Sequence, residues 1–568
     1  MKTKTLAQMV RERAQAHTGE PALRFKEGDR FVEWTWERFW ETEGRFASAL
    51  REHGVRPGDH VMLIVPEPAA AVTAHFGVWT LGATPTHVGL PYRLTNVGEF
   101  LGELRRTAAS FGTRALVVSR AVAAFAKPDA GDVRVLVLED LVEQGASLPL
   151  AEPSDPVGPA LIQLTSGSTG RPRGVVIPHD RLNDHLDAIS TALPGHPERS
   201  TGVIWLPLHH DMGMIGGLLY PLWNRFVMHV LSPLEFQSRP LSWLETMSKV
   251  RATHTAAPPS AYAMCVALAR RAEEMGLDLS SLSCAMIGAE PISASLLRRF
   301  AAAFAPSKLR AEAFFPVYGL AEATVAVTFP PVMRATRVDR IDRHALETEG
   351  VARSLGGEGQ EDAAGAVSGA REERPGAASV ELVSVGKPLP RAEVRVVDEA
   401  GVDVSERRVG EILVRAPSLM TGYYNDPDAT ASVLQDGWLR TGDLGYLAGG
   451  ELFITGRKKE IIIKGGSNHA PAAIEEIASG VSGVRAGCVA AVGVRSEERQ
   501  TEMLCLAAET KLEQSEHPAL AARLRDALKA HGIGVDHVRI VGAGTLPKTT
   551  SGKIRRAAVA DALRKELT

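Results

Sequence analysis

Leu164-Thr165-Ser166-Gly167-Ser168-Thr169-Gly170-Arg171-Pro172-Arg173-Gly174-Val175 is a run of hydroxyls and glycines between the apolar stretches Ala160-Leu161-Ile162 and Val175-Val176-Ile177. Glycine lets successive backbone N–H groups turn toward one point. The hydroxyls add donors, and Arg171 and Arg173 add positive charge, which together make a receptor for phosphate oxygens. The run lacks the Gly-Lys-Ser/Thr ending of a Walker loop. Taken alone it also has the composition of an ordinary flexible loop, so the rest of the chain must decide.

At 568 residues the chain exceeds one core, and at least two domains are expected. Hydrophobic content of 45% and charged content of 23% fit a globular protein. A net charge of −3 provides no basic field for nucleic acid. Cys265, Cys284, Cys488 and Cys505 have no CxxC spacing, which argues for a reducing compartment and against a disulfide frame or zinc site. Met1-Lys2-Thr3-Lys4 leads into the amphipathic Leu6–Ala16 and not into an apolar signal core. With no run apolar enough to span a bilayer, no integral membrane segment is expected, and the protein reads as cytoplasmic.

Strand-like runs alternate with helix-like runs. Arg114–Ser119 and Val133–Leu138 read as buried strands, and Tyr262–Met275 and Ser295–Phe304 as helices. This predicts an α/β fold with parallel pairing and no internal repeat. Residues 347–379 are rich in Gly, Ala and Glu without an aromatic, and are expected to form a mobile insertion. Ala392–Val397 and Gly410–Val414 read as short strands. The tail then changes to strands at Arg485–Val494, Met503–Ala508 and His537–Val541, with helices at Pro518–His531 and Lys553–Leu567, a compact α+β unit. The expected boundary lies at Gly456-Arg457-Lys458-Lys459, before a strand Glu460–Ile463, giving domains 1–458 and 459–568.

Five further segments follow in order. They are Leu206-Pro207-Leu208-His209-His210-Asp211-Met212-Gly213, Ile287-Gly288-Ala289-Glu290-Pro291, Phe315 to Thr324 with its Tyr318-Gly319-Leu320-Ala321-Glu322, Trp438 to Gly445 with Thr441-Gly442-Asp443, and Leu546 to Arg555 with Ser551-Gly552-Lys553. Individually they say little. Glu322 alone reads as a capping or solvated acid, and a Thr-Gly-Asp turn is common. His209 and His210, read as neighbours on a strand, would point to opposite faces, which argues against a shared metal. Six segments in order at these separations are specific, and the chain resembles the adenylate-forming superfamily of acyl-CoA synthetases, peptide-synthetase adenylation domains and luciferases.

That resemblance implies a large N-terminal α/β domain with a smaller, mobile α+β C-terminal domain, using ATP and Mg²⁺. It implies that Thr165, Ser166, Gly167, Ser168, Thr169 and Gly170 cradle phosphates. Gly288, Ala289, Glu290 and Pro291 would pack on adenine, and Tyr318, Gly319, Leu320 and Ala321 would flank the nucleotide. Glu322 would hold Mg²⁺, which takes oxygen ligands plus phosphate. Asp443 would accept both ribose hydroxyls, as suits an acceptor-only carboxylate, and Arg457 would add a ribose or phosphate contact. Lys459 falls at the hinge. Lys553 would bridge the substrate carboxylate and the α-phosphate, where charge builds as pyrophosphate leaves. His210 would sit near the substrate carboxylate, at about the place where amino-acid-activating domains carry aspartate, which argues against an amino-acid substrate. Trp205, Met212 and Ile215 would line an apolar acyl tunnel, although they would serve equally as plain core.

Finer segments resemble the fatty acyl-AMP ligases: His210 to Gly217, Ser232-Pro233-Leu234 with Arg239 to Leu244, Arg251-Ala252-Thr253, Ile341 to Leu346, Leu382 to Gly386, and Asn468 to Glu475. Members make an acyl-adenylate and pass the chain to an acyl carrier protein. Here the carrier is expected to be a separate protein, because no carrier domain follows Lys553 and its helix. The alternatives are an acyl- or aryl-CoA ligase using coenzyme A, and a non-catalytic acyl-nucleotide-binding protein, against which the intact Glu322, Asp443 and Lys553 weigh. Three departures stand out. The tail of Asn468-His469-Ala470-Pro471 lacks the usual tyrosine. Pro172-Arg173-Gly174 has arginine where lysine is usual, a modest change since the charge is kept. Ala256 to Tyr262 differs from the usual pocket segment, which leaves acyl preference open.

Overall fold

Runs such as Cys284–Ile287 and Ala115–Val118 are buried at every position, the mark of strands covered on both faces in a parallel sheet. The computed structural model describes residues 4–90, 97–126, 133–165, 172–355, 379–464, 467–496, 501–549 and 552–567. A seven-stranded sheet runs in the order Phe314–Pro316, Cys284–Ile287, His254–Ala257, Thr201–Ile204, Val227–Val230, Pro21–Glu27, Arg30–Thr35. All its pairings are parallel except the last, a hairpin. A second, four-stranded parallel sheet joins Thr84–His87, His60–Ile64, Ala115–Val118 and Arg134–Val137. An antiparallel sheet follows, built on Glu393–Val397, Gly410–Arg415, Trp438–Ala448 and Glu451–Arg457.

The tail packs Val484–Ser496, Thr501–Thr510 and His537–Gly542 with the helices Pro471–Ser479, His517–Ala530 and Arg556–Leu567. Its apolar residues form their own clusters, around Leu504 and Leu524 on one side and Ala490 and Leu563 on the other. The clusters of the large unit reach no further than Ile454, and those of the small unit begin at Ile462. The α/β architecture with a smaller α+β unit is thus as expected. Among the described residues no helix is long and apolar enough to cross a membrane.

Several local expectations change. The helix read at Tyr262–Met275 is two, Pro259–Val266 and Ala269–Glu274. The break lets Tyr262 and Cys265 anchor the first piece while the second turns its charged residues to solvent. The terminal helix starts at Arg556, so Lys553 lies before it, beside the bridge Lys548↔Ile554. The strand read from Glu460 begins at Ile462. His209 and His210 sit on a turn, not a strand, with His210 N–H donating to Pro207 O at 3.1 Å. Of the segment 347–379, residues 347–355 are tied in by bridges Val351↔Arg408 and Ile341↔Ser354, because Ala345 and Ala352 are buried against Tyr446 and Phe453. Residues 356–378 lie outside the described residues.

Candidate active site

A continuous cleft of about 3480 Å³ runs between the ends of the parallel strands, the antiparallel sheet and the small unit. The strands on either side of the hydroxyl-and-glycine run, Leu161–Thr165 and Arg173–Ile177, pair antiparallel, with Thr165 opposite Arg173. Both line the cleft. Ser166, Gly167, Ser168, Thr169 and Gly170 lie outside the described residues.

Ala289, Glu290 and Pro291 follow the strand Cys284–Ile287 and line the cleft. Ala289 holds φ +66°, the left-handed region that costs a non-glycine residue energy and that concentrates at functional sites. Glu290 accepts from Ser260 through both the backbone N–H (3.0 Å) and the hydroxyl (3.1 Å). Gly288 does not line the cleft; it packs against Val317. Tyr318, Gly319, Leu320 and Ala321 do line it. A Cβ at Gly319 would come within 1.8 Å of Val325 O, so only glycine lets the two strands of chain approach there.

Asp443 is buried, with Tyr318 Oη donating to Oδ2 (2.7 Å) and Arg457 Nε to Oδ1 (3.0 Å). Burial pushes its carboxyl above the usual range, and Arg457 and Tyr318 oppose that shift. Glu322, on the short turn Ala321–Ala323, is half-buried and accepts from Tyr423 Oη at Oε1 (2.8 Å). Burial raises its carboxyl too, against the Tyr423 hydroxyl. Among the described residues no cluster of three metal-binding side chains exists. A single carboxylate lining the cleft still suits Mg²⁺, which keeps waters and substrate phosphates as its other ligands.

An apolar part of the cleft opens from the same place. His210 lines the cleft, its Nδ1 3.8 Å from Asp211 Oδ1. Asp211 caps Met212–Leu219, a π-helical segment; such segments recur at functional sites. Trp205 and Met212 line an apolar arm with Phe236, Pro240 and Met264. Trp205 stacks on Phe236 at 3.7 Å between ring centroids. Ile215 does not line this arm: it is fully buried in the core, and its carbonyl accepts the Tyr220 N–H in the i→i+5 pattern. Gly216 lines the arm instead, with nothing within 4 Å of the place a Cβ would occupy.

Lys553 comes from the small unit, on a tight loop where Thr549 N–H donates to Lys553 O (2.7 Å). It is half-buried in the cleft. Burial lowers its ammonium below the usual lysine range, and the carboxylates of Glu290, Asp211 and Asp443 oppose this. All three acids belong to the large unit, so the lysine reaches across the junction. Glu476 of the small unit accepts the hydroxyls of Ser293 and Ser295 of the large one, the latter at 3.0 Å. Lys459 lies in the turn between the units. Before it, Lys458 Nζ contacts Glu411 (3.2 Å); after it, Glu460 takes Arg556 Nη1 (2.7 Å).

The sequence passed over Tyr423, Gly216 and Glu290's partner Ser260. Tyr423 is 101 residues from Glu322, and its one signal was the pair Tyr423-Tyr424 in a chain with 7 tyrosines.

The AMP-binding enzyme family matches residues 10–424. The long-chain-fatty-acid–AMP ligase FadD26 of Mycobacterium marinum is 30% identical, over 99% of this chain and 98% of its own. The medium-chain-fatty-acid–acyl-carrier-protein ligase JamA of Moorena producens is 35% identical over 70% of this chain and 67% of its own. A solved structure from work on fatty acyl-adenylate ligases of E. coli and L. pneumophila superposes with a TM-score of 0.86 at 30% identity, covering 99% of this chain and 98% of its own. The chain therefore belongs to the AMP-binding enzyme family, within the adenylate-forming superfamily.

Proposed function

We propose that the protein is a fatty acyl-AMP ligase. A fatty-acid carboxylate oxygen attacks the α-phosphorus of ATP, the bond to the bridging oxygen breaks, and pyrophosphate leaves. A thiol sulfur then attacks the acyl carbon and AMP departs. The thiol is the phosphopantetheine of a separate acyl carrier protein. The observation that carries this reading is the convergence in one cleft of Lys553, the acids Asp211, Glu290 and Asp443, and an apolar arm opening at His210 and Met212.

Each role follows from chemistry. Lys553 brings a cation between two anions that must meet, and it stabilises charge as pyrophosphate leaves. Asp443 offers lone pairs to the ribose diol. Glu322 would hold Mg²⁺, which, when bound, offsets phosphate charge. The arm excludes water from the chain, worth about 0.8 kcal/mol per buried CH₂. The turn around Lys459 is placed to act as the pivot that delivers Lys553 and withdraws it for the thiol. All four cysteines are buried and unpaired, which supports a reducing compartment, the cytoplasm.

The test is to incubate the protein with Mg-ATP and a ladder of fatty acids, add coenzyme A or a holo-carrier protein, and follow products by mass. Acyl-AMP that persists with coenzyme A and transfers to the carrier is expected. Rapid acyl-CoA formation would make the protein a CoA ligase. No pyrophosphate release with any acid would refute catalysis.

A further inference from the structure

Glu322 does not stand alone. Tyr423 Oη donates to its Oε1 at 2.8 Å, and Met420 N–H donates to its backbone carbonyl at 2.8 Å. Tyr423 is buried and belongs to the short strand Gly422–Tyr423, which adds a third strand to the phosphate-loop hairpin by pairing with Val175 and Val176. Over the ring of Tyr423 lies the guanidinium of Arg173, its Cζ 5.1 Å from the ring centroid. Arg173 is the first residue of the strand Arg173–Ile177 that follows the loop, and it pairs with Thr165 at the loop's base. A continuous path therefore runs from the phosphate loop through a cation–π stack and a hydroxyl to the acid. Each joint is specific. A planar guanidinium stacks on an aromatic face where an ammonium is a point charge, so arginine at position 173 is more than the charge-preserving change read from the sequence. A neutral hydroxyl donating to a half-buried carboxylate favours its ionised form and holds its plane.

We propose that Tyr423 is a positioning residue for acid activation: stacked under Arg173, its hydroxyl orients the Glu322 carboxylate toward the metal–nucleotide complex and couples it to the base of the phosphate loop. This rests on the function proposed above, in which Glu322 is the metal-holding acid. The coupling works both ways. A triphosphate that contacts Arg173 steadies Tyr423 beneath it, and through Tyr423 the carboxylate of Glu322. Metal and nucleotide should therefore bind more tightly together than apart.

The test uses the full chain, Mn²⁺, and the α,β-methylene analogue of ATP, with Mn²⁺ uptake read by electron paramagnetic resonance. Tyr423→Phe keeps the ring under Arg173 and removes only the hydroxyl. It should raise the Mn²⁺ concentration for half-saturation in the presence of the analogue about 10-fold, the size of a hydrogen bond to a charged group. Analogue binding without metal should stay within about twofold, since no nucleotide contact is lost. Arg173→Lys should shift Mn²⁺ in the same direction by about threefold, the scale of a lost cation–π stack. In a Glu322→Gln background Tyr423→Phe should add nothing, because the hydroxyl acts through that carboxylate. Unchanged Mn²⁺ half-saturation in Tyr423→Phe, or metal-free and metal-dependent binding falling together, would overturn the proposal. If the unaltered protein with the analogue takes up no Mn²⁺, the assignment of Glu322 itself fails, and this inference fails with it.

Discussion

Tyr318 and Asp443, 125 residues apart in sequence, meet in a 2.7 Å hydrogen bond from the tyrosine hydroxyl to Oδ2. Arg457 holds the other oxygen. The acid is thus fixed by two donors, and each oxygen keeps a further lone pair for a ribose hydroxyl. Asp443→Asn replaces an acceptor by a donor and leaves Arg457 without its counter-charge. The expected result is a KM for ATP raised roughly 10–100-fold with the fatty-acid KM unchanged, the range for hydrogen bonds to charged groups. Tyr318→Phe should give a smaller rise in the same constant. Pyrophosphate release at varied ATP measures both. A rise in the fatty-acid KM alone would place Asp443 away from the nucleotide.

Lys553 crosses the junction to face Glu290, Asp211 and Asp443. Among the described residues its ammonium has no hydrogen-bond partner, which leaves it free for substrate. Lys553→Ala should slow acyl-AMP formation by roughly 10²–10³-fold, as removal of a charge-stabilising donor does. Transfer of the acyl group from supplied acyl-AMP to the thiol should survive. Equal loss in both half-reactions would mean that the lysine serves the fold and not the first step.

The contact of Glu476 with Ser293 and Ser295 holds the small unit where Lys553 reaches the cleft. The site is exposed, so the contact is weak and screened. Glu476→Ala should slow acyl-AMP formation by no more than about fivefold and leave transfer from supplied acyl-AMP unchanged or faster. A slower second step would show that the contact is needed in both positions. Ser293 is a poor site for this test, because it also caps the helix Ala294–Phe304.

Gly216 and Gly217 are adjacent and opposite in character. A Cβ at Gly217 would lie 1.7 Å from Ile204 Cδ1, whereas at Gly216 it would meet nothing within 4 Å. Gly216→Leu therefore fills the apolar arm without disturbing the core. At about 0.8 kcal/mol per displaced CH₂, the preferred fatty acid should shorten by several carbons, while short acids keep their kcat/KM. Gly217→Ala should instead lower the melting temperature. An unchanged preference in Gly216→Leu would place the chain elsewhere.

The pair of glycines also shows where reading the sequence stops. The sequence offers Ile215 for the tunnel as an apolar side chain beside Met212, and nothing in it singles out Gly216. The segment is π-helical, and its wider turn sends Ile215 into the core and Gly216 to the cleft. Buried strands such as Ala115–Val118 were legible, since unbroken apolar runs carry their own signal. So was the strand Arg173–Ile177 after the hydroxyl-and-glycine run, although its antiparallel pairing with Leu161–Thr165 was not. Partners that meet only in three dimensions were not. Tyr423 reaches Glu322, and Glu476 reaches Ser295, across separations that no local pattern encodes.

Eight histidines that burial keeps neutral make stability depend on pH. Burial lowers His60, His179, His229 and His254 to about 4, His87, His185 and His209 to about 3, and His75 well below its usual value. They stay neutral in the folded protein throughout the mildly acidic range, while in the unfolded chain they protonate near 6.5. As pH falls below 6.5 the unfolded state takes up protons that the folded state refuses, so unfolding becomes easier. Each histidine contributes up to about 1.4 kcal/mol per pH unit until its folded value is reached. Glu43 acts in the opposite sense, because burial raises its carboxyl well above normal and its proton is held only when folded. Glu322 and Asp443, also raised by burial, act as Glu43 does, but three acids do not offset eight bases. Urea unfolding should therefore show a sharp loss of stability between pH 7.5 and pH 5.5, and His60→Gln should flatten that slope by one proton. A flat profile across this range would mean that the histidines are charged in the folded state.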